Sequence, residues 1–230
     1  MKRIPLTISL ILLLCCYANA QSDVEQGVVN DGEYTNPALS FRFKFPKDWV
    51  VHGEATKERI RELGKEKIAE SGASRASTEV ALKNTYQLLT IFHYALGTPG
   101  VTFNPSILVI AERVDHAPGI KNGKDYLLNV RALLTRTPGY QVLQKEPMEY
   151  HFGETQFFRD NYAVEVNGVH MVQSHFATVR YGYALIFAFM GEDQASVDEM
   201  AKAMESFDTV LPVRRGVTTV IGSPPPHKPN

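Results

Sequence analysis

The stretch that decides the fold runs from Tyr140 to Gly191 and reads YQVLQKEPMEYHFGETQFFRDNYAVEVNGVHMVQSHFATVRYGYALIFAFMG. Its apolar and β-branched residues recur in short runs separated by turn residues, which is the pattern of consecutive strands. Asn167-Gly168 is typical of the two-residue type I′ turn of a hairpin, and Arg180-Tyr181-Gly182 marks a second reversal. Because no helical pattern separates these runs, the stretch predicts an antiparallel β-meander and not a doubly wound parallel sheet.

A predicted helix precedes the meander in the sequence, and another follows it. Asn122 followed by Asp125 resembles a capping box and opens an amphipathic stripe, and Ser196 followed by Glu199 predicts the start of a last helix. Antiparallel hairpins with interspersed helices predict an α+β fold, with one antiparallel sheet and helices covering its faces. The other predicted elements are a strand over Leu39–Phe45, an amphipathic helix within Glu54–Glu70, a long polar loop over Gly72–Thr85, and strands around Tyr86–Ala95 and Ile107–Val114.

The N-terminus has the pattern of a signal peptide. A short basic start is followed by an apolar run over Leu6–Cys16, which is too short to span a bilayer core of about 30 Å. The A-x-A pattern that ends at Ala20 predicts cleavage between Ala20 and Gln21 and a periplasmic or secreted protein. Lipoprotein processing at Cys15 or Cys16 is a weaker match, since neither cysteine follows a small residue. We therefore expect a signal peptide over 1–20, a flexible lead-in over 21–36, a single α+β domain over 37–212 and an extended proline-rich tail over 213–230.

Composition excludes several classes of function. Both cysteines of the chain lie in the predicted signal peptide, so the mature chain would have no thiol nucleophile, no cysteine–zinc site and no disulfide. The chain has 24 basic and 25 acidic residues, and loss of two basic residues with the leader changes the net charge from −1 to −3. No basic excess is left for nucleic acid. After removal of the signal peptide we expect no transmembrane span.

Motif searches give no catalytic residue, metal ligand or cofactor site. His170 and His175 are five residues apart on a strand, so they face opposite sides of the sheet and cannot share an ion. Neither a G-x-S-x-G elbow nor a phosphate-binding glycine loop occurs. The carboxylate pairs Glu146/Glu149 and Glu192/Asp193 are most simply solvated charges. The other histidines and the serines considered as parts of a dispersed site are His52, His93, His116, His151, Ser40, Ser106 and Ser174.

Aromatic residues are concentrated in the meander. Phe157 and Phe158 are adjacent, so they point to opposite faces of a regular strand. If helices cover both faces, both rings belong to the core, which we favour. If one face is open, its rings form a patch for a partner or an apolar ligand.

Two segments resemble the PsbP-like group of exported α/β/α sandwich proteins, which includes DcrB-type envelope proteins. They are YTNPALSFRFKFPKDW, a Phe-rich strand that leads into Pro-x-x-Trp, and GYALIFAFMGEDQASVDEMAKAMESF, an aromatic strand that leads into a helix ending at Ser206-Phe207. The resemblance covers roughly Tyr34–Val210 through the order of its elements. It implies a scaffold that docks on a partner and carries no reaction.

The residues support three hypotheses of different classes. The first is a non-enzymatic envelope protein that binds a protein partner. The second is a small hydrolase or metal-dependent enzyme with a site assembled from distant strand residues. The third is a carrier of an apolar ligand.

Overall fold

The computed structural model describes Val24 and residues 27–59, 84–166 and 168–210. The predicted signal peptide with its cleavage site Ala20/Gln21, most of the predicted loop over Gly72–Thr85 and the predicted tail over 213–230 lie outside the described residues. Of the helix predicted within Glu54–Glu70, residues 54–59 are described and are helical. No helix in the described ranges is long and apolar enough to cross a membrane.

Besides the helical residues 54–59, the described chain contains twelve strands and two α-helices. They are β1 (Val28–Asn30), β2 (Glu33–Asn36), β3 (Phe41–Lys44), β4 (Val50–Val51), β5 (Thr85–Phe92), β6 (Ser106–Arg113), α1 (Gly123–Leu134), β7 (Tyr140–Val142), β8 (Met148–Phe152), β9 (Thr155–Val166), β10 (Val169–Arg180), β11 (Tyr183–Gly191), α2 (Gln194–Ala201), a 3₁₀ turn (Lys202–Ser206) and β12 (Asp208–Thr209).

The large sheet has the strand order β4-β5-β6-β11-β10-β9-β7, with β8 also beside β9, and every pairing is antiparallel. The predicted meander is therefore confirmed. Val166 pairs with Val169 across a two-residue reversal in which Gly168 has a φ of +77°. At the next reversal Tyr181 and Gly182 have φ values of +51° and +78°, as a type I′ turn requires.

Helix α1 covers one face of the large sheet. Asn122 accepts a hydrogen bond from the Asp125 backbone N–H at 3.0 Å, so the predicted cap is confirmed. Gly123 lies so close to the β10 backbone that a Cβ atom there would overlap the Ala177 carbonyl. The buried residues of this helix are Gly123, Tyr126, Leu127, Val130 and Leu134, which include the predicted stripe.

The opposite face is covered by α2 and by a four-stranded sheet of order β1-β2-β3-β12. Phe41 and Phe43 of β3 pack on Phe187 of β11, with ring centroids 5.8 and 5.0 Å apart. Phe207 contacts both Phe41 and Phe187 and closes this core. The α+β class is as predicted, and the structure adds a small sheet where helices alone were expected.

Three boundaries differ from the sequence-based expectation. The flexible lead-in expected over 21–36 contains the β1–β2 hairpin, because Tyr34 is buried against the Phe-rich strand and Val24 is buried as well. Helix α2 begins at Gln194 and not after Ser196, because Asp193 is the N-cap and Ser196 completes its capping box. Thr85, expected at the end of a loop, is the first residue of β5.

Phe157 and Phe158 lie in the cores on opposite faces of β9, and both rings are buried. The favoured interpretation of this pair is confirmed. Since covering layers lie on both faces of the sheet, most aromatic side chains of the meander belong to the core and do not form a binding surface. Burial of each such side chain stabilises the fold by about 1.5–3 kcal/mol.

Candidate functional site

The histidines are dispersed over the fold. His170 is exposed and lies near Glu165, whereas His175 is buried beneath α1, so the two face opposite sides of the sheet as predicted. His116 and His151 are exposed beside Asp115 and Glu149. No three His, Cys, Asp or Glu side chains in the described part of the chain are grouped so as to hold a metal ion.

A cluster of titratable groups is buried under α1. Asp160 is fully buried, and its carboxylate accepts two hydrogen bonds from Arg131 of α1, from Nε at 2.9 Å and from Nη2 at 2.7 Å. The Tyr162 hydroxyl donates to the same carboxylate at 2.8 Å. His175 is directly opposite Asp160 in the β9–β10 register, and its ring lies 5.1 Å from that of Tyr162.

Burial controls the protonation of this cluster. It lowers the pKa of His175 to about 4, and the attraction of Asp160 for the imidazolium offsets only part of that effect. Burial raises the pKa of Tyr162, and the adjacent Asp160 carboxylate raises it further. Neither imidazole nitrogen of His175 has a hydrogen-bond partner among the described residues. Asp160 and His175 are both buried, and the ion pair between Arg131 and Asp160 connects α1 to the sheet.

A second polar cluster lies on the other face of the same strand. Arg159 donates to Ser174, Asn161 and the Asp198 carboxylate of α2, and its guanidinium lies 5.1 Å from the Phe176 ring centroid. Ser174 is thus held by an arginine and faces away from His175, its neighbour in sequence. Ser174 and His175 therefore cannot act together as a nucleophile–base pair.

The carboxylate pairs noted in the sequence have structural partners. Glu146 forms an ion pair with Lys124 at 2.8 Å, and Glu149 accepts a hydrogen bond from Gln156 at 2.7 Å. Asp193 caps α2, and Glu192 beside it is exposed. Glu146 and Glu149 therefore make contacts at the surface, and Asp193 serves as a helix cap.

An aromatic stack lies at one end of the large sheet, where β5 ends and β6 begins. The His93 ring stacks on Trp49 with centroids 5.1 Å apart at 18°, and on Tyr94 at 4.2 Å and 27°. Tyr94 and Leu96 are exposed to 41% and 38%, and Val51 on the adjacent edge strand to 40%. We call these five residues the aromatic end.

The loop that carries the aromatic end is held in place. The Asn104 side chain accepts from the Tyr94 N–H at 2.9 Å and donates to the Tyr94 carbonyl at 2.8 Å. The His93 N–H donates to the Pro105 carbonyl at 2.9 Å, and Phe103 is buried in the core beneath α1. These hydrogen bonds fix the Tyr94 backbone and thereby restrict the position of its exposed ring.

Sequence reasoning missed the aromatic end. The sequence pattern assigns Tyr94 to the strand around Tyr86–Ala95 and gives no role to Leu96. Large apolar side chains next to glycines and prolines were the available signal, because such loops run over the surface.

No protein-family model and no curated protein sequence matches the chain. Solved structures with related folds include cyanobacterial PsbP from Synechocystis, with 12% identity, a TM-score of 0.44, and coverage of 84% of this chain and 99% of that chain. LpqN of Mycobacterium tuberculosis, described as involved in cell envelope biogenesis, has 13% identity, a TM-score of 0.42, and coverage of 74% and 82%. A protein of unknown function from Pseudomonas aeruginosa has 13% identity, a TM-score of 0.38, and coverage of 54% and 79%. The PsbP-like group, which two segments of the sequence resemble, is represented among these structures by cyanobacterial PsbP.

Proposed function

We propose that this chain is an exported, non-enzymatic protein of the cell envelope that binds a protein partner through its aromatic end. The observation that carries the proposal is the stack of Trp49, His93 and Tyr94, which is held rigid and presents Tyr94 and Leu96 to solvent. Aromatic side chains in fixed positions are typical of the residues that dominate protein–protein binding energy.

The chemistry of the aromatic end favours a partner with apolar side chains. Tyr94 and Leu96 still expose about two fifths of their surface, and Val51 on the edge strand β4 exposes a similar fraction. Burial of apolar surface contributes about 25 cal/mol per Å², and stacking adds about 0.5–1.5 kcal/mol for an aromatic pair. An aromatic side chain of the partner placed on Tyr94 gains both contributions, and an aliphatic side chain gains the first.

The groups that general acid–base chemistry would need are used elsewhere in the fold. Asp160 and His175 lie under α1, and Ser174 is bound by Arg159 on the opposite face. These placements favour a binding protein over the hydrolase considered from the sequence.

Export is proposed from the signal-peptide pattern, and the fold is compatible with it. Val24 is buried and lies after the proposed cleavage position between Ala20 and Gln21. Cleavage there leaves every described residue in the mature chain.

The test is site-specific photo-crosslinking in living cells. A photoreactive amino acid replaces Leu96 at the aromatic end or, as the control, Leu128, which is equally exposed on α1. We expect one discrete adduct from position 96 and none of that mass from position 128. The partner, identified from the adduct, should bind purified Tyr94→Ala at least tenfold more weakly than wild type and Leu128→Ala equally well. Adducts of the same mass from both positions, or a Tyr94→Ala variant with unchanged affinity, would refute the proposal.

A further inference from the structure

The predicted tail over 213–230 contains a proline-rich segment. Pro224-Pro225-Pro226 is the one run of consecutive prolines in the sequence, and Pro229 follows it. Such a run favours the polyproline II helix, which loses little conformational entropy on binding. Proteins that recognise this helix do so with exposed aromatic side chains, on which the proline rings pack. The tail therefore has the chemistry of a ligand for an aromatic surface.

The described part of the chain has two exposed aromatic side chains, Tyr94 and Tyr181. The Arg180 guanidinium lies over the Tyr181 ring, 5.1 Å from its centroid, so a cation already occupies that ring. Tyr94 instead stacks on His93, which in turn stacks on Trp49. The aromatic end thus combines three rings with exposed aliphatic residues, which favours it over Tyr181 as the surface for prolines.

The charges of the tail also favour the aromatic end. Residues 213–230 contain three basic residues and no acidic one, so residues 21–212 carry −6 of the net charge of −3 expected for the mature chain. Asp48, directly before Trp49, is exposed, and its neighbour Lys47 is paired with Asp31. A basic tail is attracted to this acidic body, whereas Arg180 beside Tyr181 would repel it.

The tail is long enough to reach the aromatic end of its own molecule. The described chain ends at Val210, whose N–H donates to the Ser40 carbonyl beside Arg180, at the opposite end of the large sheet. The two ends are separated by the length of β11, which is roughly 30 Å at about 3.3 Å per residue. The chain from Val210 to Pro224 can span up to about 46 Å.

We propose that the C-terminal tail docks on the aromatic end of its own chain, with Pro224–Pro226 on Tyr94, and competes there with the protein partner. The competition rests on the proposed function, whereas the docking does not. A tethered tail has an effective concentration of about 1 mM, so a dissociation constant of about 0.3 mM would keep about three quarters of the molecules docked. The tail then weakens partner binding without abolishing it.

NMR spectra of the ¹⁵N-labelled mature protein test the docking. The proline variant is Pro224→Ser/Pro225→Ser/Pro226→Ser, and the control variant is Val217→Ser/Val220→Ser/Ile221→Ser, which changes the apolar run of the same tail. We expect the proline variant to differ from wild type at the amides of residues 49–51 and 93–97 and at the Trp49 indole N–H, and the control variant to match wild type there. Unchanged resonances in the proline variant, changes only at residues 180–183, or equal changes in both variants would overturn the inference.

A peptide and a dilution series distinguish docking within one chain from docking between chains. A synthetic peptide of residues 222–230, added to the proline variant, should move the same resonances towards their wild-type positions. The wild-type spectrum should not change on about fiftyfold dilution, because the effective concentration of a tethered tail is fixed. A spectrum that moves towards that of the proline variant on dilution would refute docking within the chain.

The competition is measured with the partner identified by crosslinking at position 96. That partner should bind the proline variant about fourfold more tightly than wild type, because no tail has to leave the site. Equal affinities would refute the competition. The spectra need no partner, so a failed crosslink with positive spectra counts against the proposed function alone, and a discrete crosslink with unchanged spectra counts against the tail alone.

Discussion

Acidification should destabilise this protein through His175. The imidazole is buried beside Tyr162 and Asp160, and both of its nitrogens lack a hydrogen-bond partner among the described residues. Folding therefore favours the neutral ring. Replacement by leucine, which cannot titrate and removes the two unpartnered nitrogens, should change stability little at pH 7.5 but increasingly improve it as the pH falls.

The magnitude follows from the difference between the folded and unfolded states. In the folded protein burial lowers the pKa of His175 to about 4, from an ordinary value of 6.5. Between pH 6.5 and pH 4 the unfolded chain binds a proton at His175 that the folded chain does not. As far as this group is concerned, the free energy of unfolding is therefore highest above about pH 6.5 and falls towards pH 4. At about 1.4 kcal/mol for each of about 2.5 pH units, the loss amounts to about 3 kcal/mol.

Urea unfolding between pH 7.5 and pH 4.5 measures this loss, with the single tryptophan, Trp49, as the fluorescence probe. The difference in the free energy of unfolding between wild type and His175→Leu at each pH reports on His175 alone, because the contributions of the other titrating groups are the same in both proteins and cancel. His170→Leu on the same strand is the control, since His170 is 77% exposed and its difference from wild type should stay flat. A flat difference for His175→Leu would refute the reasoning. A wild type that gains relative stability on acidification would show that Asp160 outweighs burial and holds the ring protonated.

Three further predictions concern packing and processing. Arg131→Met should lower the free energy of unfolding, measured in urea titrations, by about 3–5 kcal/mol, because it leaves Asp160 buried without its cation. The double variant Arg131→Met/Asp160→Leu should regain most of that lost stability. Gly123→Ala should lower the melting temperature by several degrees, because its Cβ would overlap the β10 backbone, whereas Gly119→Ala, with open space around it, should not. N-terminal sequencing of the exported protein should begin at Gln21, and a start at any residue before it would contradict the predicted cleavage.

The parts of the fold that the sequence predicts are those decided by local periodicity. Asn167-Gly168 between two alternating runs requires a hairpin, and β9 and β10 pair in that register. The adjacent rings of Phe157 and Phe158 belong to opposite cores for the same reason, because side chains alternate along a strand.

The parts that it does not predict depend on partners far along the chain. β3 pairs with β12, in which Asp208 lies opposite Arg42, so the small sheet joins the two ends of the domain. No pattern within a short window shows that pairing. Within the aromatic end, the stacking of Trp49 on His93 depends in the same way on a distant pairing, because the two residues are separated by more than forty positions and meet through the β4–β5 pairing.

The charged residues in the middle of β9 explain how this apolar meander keeps one register. Arg159 faces α2 and binds Asp198, and Asp160, the next residue, faces α1 and binds Arg131. A slip of one residue would exchange the two faces. Arg159 would then meet Arg131, and Asp160 would meet Asp198, so like charges would face each other in both covering layers. Buried charge pairs add little net stability because of their desolvation, but breaking such pairs costs several kcal/mol. The sequence Arg159-Asp160 therefore disfavours the shifted pairing more strongly than it stabilises the native one.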